Sequence, residues 1–124
     1  MTTPVGIDGP DFVALQVRDV EAAAAFCEKH LGLRRTPASP PGAVVFDTKP
    51  IPFAVREPLP GTDMDAGRAG LGVALWFGTP DAQALHDRLV ADGVEVVSAL
   101  ADSPFGPVFS FAGPEGYVLT VHGA

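Results

Sequence analysis

The sequence predicts an α+β fold built by duplication: two similar mixed sheets, each with one helix outside, set facing one another. Three observations predict it. The stretch FVALQVRDVEAAAAF, beginning at Phe12, returns as GVALWFGTPDAQALH, beginning at Gly72, and each copy carries Val-Ala-Leu, a polar turn signal and an Ala-rich run. Short apolar runs bounded by Gly and Pro follow each copy, so each half reads strand–helix–strand–strand. The long connections that parallel strands need occur only at the helices, which makes the sheets mixed.

Residues 12–18 are apolar with imperfect alternation, the pattern of a strand. Asp19 is placed to cap a helix, its carboxylate accepting from orphan backbone N–H groups. Glu21 falls in the first turn, where the helix dipole favours an acid. Val20, Ala24, Cys27 and Leu31 recur at helical spacing on one face, and Gly32 is a C-terminal stop. Strands follow at 43–48 (AVVFDT) and 51–57 (IPFAVRE), with Pro50 and Pro52 marking a sheet edge. The segment 58–70, PLPGTDMDAGRAG, is polar and Gly-rich and reads as a mobile linker or lid. In the second half, 72–77 is a strand, Thr79 an N-cap and Pro80 the first helical residue. Ala82, Leu85 and Leu89 form the buried stripe and Gly93 ends the helix. Residues 94–97 are a short extended run. Strands at 107–112 and 117–122 are joined by GPEG, 113–116, a tight turn.

A chain of 124 residues with 47% apolar side chains is one ordinary domain. It buries about two-thirds of its unfolded surface and needs no disulfide or structural metal to fold. Cys27, alone, has no partner for an internal bridge; this suits a reducing cytoplasm, and on the buried stripe it acts as a small hydrophobe. The N-terminus has neither the basic start nor the apolar run of a signal peptide, and no stretch approaches the ~20 apolar residues of a membrane span. A net charge of −7 argues against nucleic acid. Solubility is the simpler reading of that acidity, and attraction of cationic ligands the alternative. The 14 glycines and 13 prolines cluster around 37–42, 49–52 and 57–61 and act as punctuation. No Gly-rich loop opens a helix after a strand, so no nucleotide-phosphate site is expected. No Ser-His-Asp arrangement has a motif context.

FVALQVRDVEAAAAFCEKHLGL and GPEGYVLTVH resemble the first strand and helix, and the closing hairpin, of the vicinal-oxygen-chelate superfamily: glyoxalase I, extradiol dioxygenases and bleomycin-resistance-type binding proteins. The likeness covers about 12–122. It implies paired βαβββ modules, each a curved half-open sheet around a cavity, with module 1 at about 11–57, the linker at 58–70, module 2 at about 71–122, and homodimers. In metal-dependent members four side chains enter the cavity, one from the first and one from the last strand of each module. Here those positions hold Phe12, Gly72, Arg56 and Thr120; a one-residue slip would put Glu57 in place of Arg56. A phenyl ring, a hydrogen and a guanidinium cannot ligate a divalent ion, and one hydroxyl is not a site. His30 sits at a helix end and His86 on a helix's outer surface. His122 shares the face of Thr120, either at the cavity mouth or as a solvated residue near the chain end.

Strand alternation then places Ala14 and Gln16 beside Phe12, Ala74 and Trp76 beside Gly72, Val118 and His122 beside Thr120, and Ala54 beside Arg56. Small residues leave room, while Trp76 and Phe12 supply flat apolar faces. Arg56, if inward, would hold a carboxylate or phosphate. Phe46, Phe53, Phe105, Phe109 and Phe111 either add to this lining or pack under the helices; Phe46, Phe109 and Phe111 are carried as candidate ligand contacts with Phe12, Gln16, Arg56, Trp76, Thr120 and His122. The expected function is cofactor-free binding of a small, partly aromatic molecule, by analogy antibiotic sequestration of the bleomycin-resistance type. The alternatives are a glyoxalase-like lyase, isomerase or dioxygenase, and a regulatory module whose cavity has filled in.

Overall fold

A computed structural model of the protein describes residues 4–124. Strand β1 (Val13–Gln16) leads into helix α1 (Val20–Leu31), then β2 (Ala43–Phe46) and β3 (Phe53–Arg56). After residues 57–74 come β4 (Leu75–Gly78), α2 (Ala82–Ala91), β5 (Val96–Ala101), β6 (Val108–Ala112) and β7 (Val118–His122), with a 3₁₀ turn over Pro114–Gly116. The fold is α+β with two mixed sheets, ordered β1-β3-β2 and β4-β7-β6-β5. In each, the strand before the helix pairs in parallel with the last strand, Val13 opposite Phe53 and Leu75 opposite Leu119.

The second half is a complete βαβββ module. The first lacks one strand: the position that β5 holds in its sheet is reduced to a single bridge between Arg35 and Phe46. The following run, Pro37-Ala-Ser-Pro-Pro-Gly42, explains this, because three of its residues have no N–H to give a ladder.

Asp19 caps α1 by accepting from the Ala22 N–H at 3.0 Å. Gly32 closes the helix in the left-handed conformation, φ 69°, which a side chain would disfavour. Helix α2 corrects the expected boundary. Its N-cap is Asp81, which accepts from the Ala84 N–H at 3.0 Å, and Pro80 stands before the cap. Thr79 only accepts from the Asp81 N–H, at 3.4 Å. Both residues are good caps in isolation; the carboxylate lies nearer the first turn. The strand expected at 72–77 starts three residues late, at Leu75, because Gly72, φ 82°, lies in a turn.

Leu15, Val44, Phe46, Phe53 and Val55 from the first sheet and Phe109, Phe111, Leu119 and Val121 from the second join Ala23, Ala24, Cys27, Ala82 and Leu89 of the helices in one apolar cluster. The edge of Phe53 meets Phe77, ring centroids 5.4 Å apart, so the two halves share a core. The helices are tied by His30 Nδ1 to Asp92 at 3.1 Å and by Arg88 donating to the His30 carbonyl at 2.7 Å. Among the described residues no helix is long and apolar enough to cross a membrane.

Candidate functional site

Burial under the helices decides one face of each sheet, and alternation decides the other. With Leu119 and Val121 buried, Val118, Thr120 and His122 are turned to the open face of β7. Trp76 is opposite Thr120 in register and shares that face, with 52% of its surface exposed. Ser110 lies across from Thr120 on the other side, and their hydroxyls are 2.8 Å apart. Phe105 and His122 complete the cluster: the indole centroid is 6.1 Å from the Phe105 ring and 5.7 Å from the His122 ring. His122 Nδ1 lies 3.2 Å from the Phe105 carbonyl. A carbonyl only accepts, so Nδ1 is the donor of this contact and Nε2 takes no part in it.

Of the residues expected around a ligand, this face gathers Trp76, Thr120 and His122. Phe105, which alternation along a strand could not place because it precedes β6, is the member added by the fold. Gln16 and Arg56 meet on the other sheet, opposite each other in register. The Gln16 amide oxygen accepts from the Leu59 N–H at 2.7 Å, and Arg56 donates through Nε to the Glu57 carbonyl at 2.9 Å. Phe12 lies half-exposed just ahead of β1. Phe46, Phe109 and Phe111 are all buried in the apolar core. Phe109 and Phe111 share the parity of Val121 and Leu119, and Phe46 that of Phe53, the core side of each sheet, because these bulky rings are what the helices pack on.

A cavity of about 750 Å³ lies elsewhere. It is bounded by β1, the start of β7 and the strap 62–73, and it takes in Ala14, Gln16 and Val118 but not Trp76, Thr120 or Arg56. A 97-residue-long contact holds the adjoining hairpin: Glu115 accepts from the Arg18 N–H at 2.7 Å. The strap is fastened by the Arg18–Asp65 ion pair.

The residues present do not fit a divalent metal. Phe12 and Gly72 offer no donor, Arg56 is a cation, and the Thr120 hydroxyl is engaged with Ser110. Among the described residues, no three His, Cys, Asp or Glu side chains converge. Nor is Cys27 a ready nucleophile: burial, and secondarily the charge of Glu28, push its thiol up to about 12.

Comparison with known proteins adds a frame to this geometry. The family described as Glyoxalase/Bleomycin resistance protein/Dioxygenase superfamily matches residues 9–121. No curated protein matches. Among solved structures, TnmS3, an antibiotic binding protein from Streptomyces sp. CB03234, is similar with a TM-score of 0.76 at 21% identity, covering 97% of this chain and 98% of that one. The fosfomycin resistance protein FosX from Mesorhizobium loti gives 0.68 at 19% identity, over 96% and 94%. Lactoylglutathione lyase from Agrobacterium tumefaciens gives 0.68 at 19%, over 93% and 92%. At such identities the likeness is one of fold.

Proposed function

Given that the chain belongs to the glyoxalase/bleomycin resistance protein/dioxygenase superfamily, we propose that it binds a small, partly aromatic organic molecule without a metal ion, and acts by sequestering it. The observation that carries this reading is the exposed cluster of Trp76, Phe105 and His122 beside the Ser110–Thr120 hydroxyl pair. An indole with half its surface bare offers a flat partner that loses little entropy on binding. His122 Nε2 and the two hydroxyls supply polar contacts that orient a ring substituent. The antibiotic-binding neighbour supports sequestration over turnover, and the lack of a convergent donor set among the described residues supports metal independence.

An open face of this kind is half a site. Trp76 and Phe105 are both exposed and adjoin each other, apolar surface of the kind that marks an interaction site. A second copy of the chain, forming a homodimer in the cytoplasm, covers it and supplies the facing wall.

Titration of Trp76 fluorescence with metal-free bleomycin and with 8-anilino-1-naphthalenesulfonate tests the reading. We expect a saturable change, and Trp76→Ala weakens binding by at least ~1 kcal/mol, the lower range for an aromatic anchor. Unchanged emission and affinity, or a stoichiometric transition metal that survives dialysis, would sink it.

A further inference from the structure

The cavity beneath the strap differs chemically from the aromatic face, and we propose that it is a separate binding site for an aliphatic chain ending in an anionic head, with Arg68 as the partner of that head. The proposal stands apart from the function above and needs neither Trp76 nor a second copy.

The walls argue for the chain. Val13, Leu15, Met64, Leu71, Val97 and Leu119 line the cavity, and its volume, about 750 Å³, is that of a small-molecule site. Branched and thioether side chains mould to a flexible chain and offer no flat surface for stacking. Tyr117 is the one aromatic residue of the lining, and its hydroxyl is already donated to the Gln16 carbonyl at 2.7 Å. Leu71 and Val73 remain 70% and 69% exposed although they border the cavity. Covering such apolar surface is favourable, and an occupant of the cavity would gain it.

The rim argues for the head. Asp63 and Arg68 are the charged residues of the lining. Asp63 accepts from the Asp65 N–H at 2.9 Å. The guanidinia of Arg18, Arg35, Arg56 and Arg88 are bonded within the protein. That of Arg68 has no ion pair or hydrogen bond among the described residues, so its five donors are available to a carboxylate or phosphate. The net charge of −7 opposes an approaching anion, but at physiological salt that field is screened within about 8 Å, and the local groups decide. The roof is also built rather than loose. Leu59 is held by Gln16, Asp65 by Arg18, and Gly70 lies so close to Tyr117 that a Cβ there would stand 3.0 Å from its ring.

The test is a titration of methyl-labelled protein with decanoate, decyl phosphate and decanol. Saturable shifts at Val13, Leu71 and Val97, with the Trp76 indole resonance unmoved, support the site. The tighter of the two anions identifies the head, and decanol binds more weakly than either. Arg68→Ala weakens the anions about fivefold, the upper range for an exposed ion pair, and leaves decanol unchanged. Asp63→Asn, which keeps the acceptor oxygen and removes a like charge, tightens the anions. Leu71→Asp, at an exposed position that does not threaten folding, abolishes all three. No saturable shift, shifts centred on Trp76, or equal affinity for decanol and both anions overturns the proposal. Because the two readings report through different residues, failure of one is visible apart from failure of the other.

Discussion

Glu115 reaches Asp19 across the two halves of the molecule: its Oε2 accepts from the Asp19 backbone N–H at 2.9 Å while Oε1 accepts from that of Arg18 at 2.7 Å. Asp19 is itself the cap of α1. One carboxylate from the closing hairpin thus fixes the chain where the first strand becomes the first helix. It does so from a backbone angle of φ 53°, which a non-glycine residue adopts only at a cost.

Two substitutions separate these effects. Glu115→Ala loses the carboxylate and keeps the unfavourable angle, and we expect a loss of about 1–2 kcal/mol, since the group is exposed to solvent. Glu115→Gly loses the same bonds but relieves the backbone, so urea denaturation should find it the more stable of the two. Equal stabilities would mean that the angle carries no strain.

The start of α2 makes a sharper test of local reading. Asp81→Ala should cost about 1 kcal/mol, the usual loss for a capping side chain. Thr79→Ala, whose hydroxyl takes only a long bond from the Asp81 N–H, should cost less than half as much. The reverse order in thermal or urea melts would restore Thr79 as the cap.

Cys27 predicts an alkaline limit to stability. Its folded thiol is pushed up to about 12 from an ordinary 9.0, first by burial and then by Glu28. Above pH 9 the unfolded chain gives up this proton and the native chain retains it. Stability present below pH 9 is therefore lost as the pH rises toward 12, by up to about 1.4 kcal/mol per pH unit. In Cys27→Ala that part of the slope is absent, and the difference between the two proteins' pH profiles measures it. A thiol reagent at pH 8 should label the wild type only after unfolding.

Much of the fold was legible because its signals are local. The Asp19 cap and Gly32 stop follow from single residues acting on adjacent backbone, and the repeat of Val-Ala-Leu marks both first strands. Pro37, Pro40 and Pro41 read only as punctuation, and that a strand is reduced beside them shows in the single bridge from Arg35 to Phe46. Strand starts were less legible. Gly72 reads as the head of a strand by analogy with Phe12, yet its left-handed angle puts it in a turn and delays β4 to Leu75.

The candidate site divides the same way. Alternation put Trp76 on the face of Gly72, the family resemblance singled out Thr120, and register in the sheet sets the two opposite each other. Alternation alone could not say which face of β6 or β2 the helices would take. Phe46, Phe109 and Phe111 are suited to line a cavity by chemistry, but a sheet needs its largest rings where a helix covers them.

By itself, then, the sequence determined the α+β class, the duplication and the cap and stop of α1, because each depends on residue chemistry or on neighbours within a few positions. Only the tertiary structure decided that Phe105 joins Trp76, that Glu115 clamps Asp19, and that the strap roofs an aliphatic cavity instead of the aromatic face. Those contacts link residues far apart in the chain, and their geometry comes from how two sheets share one core.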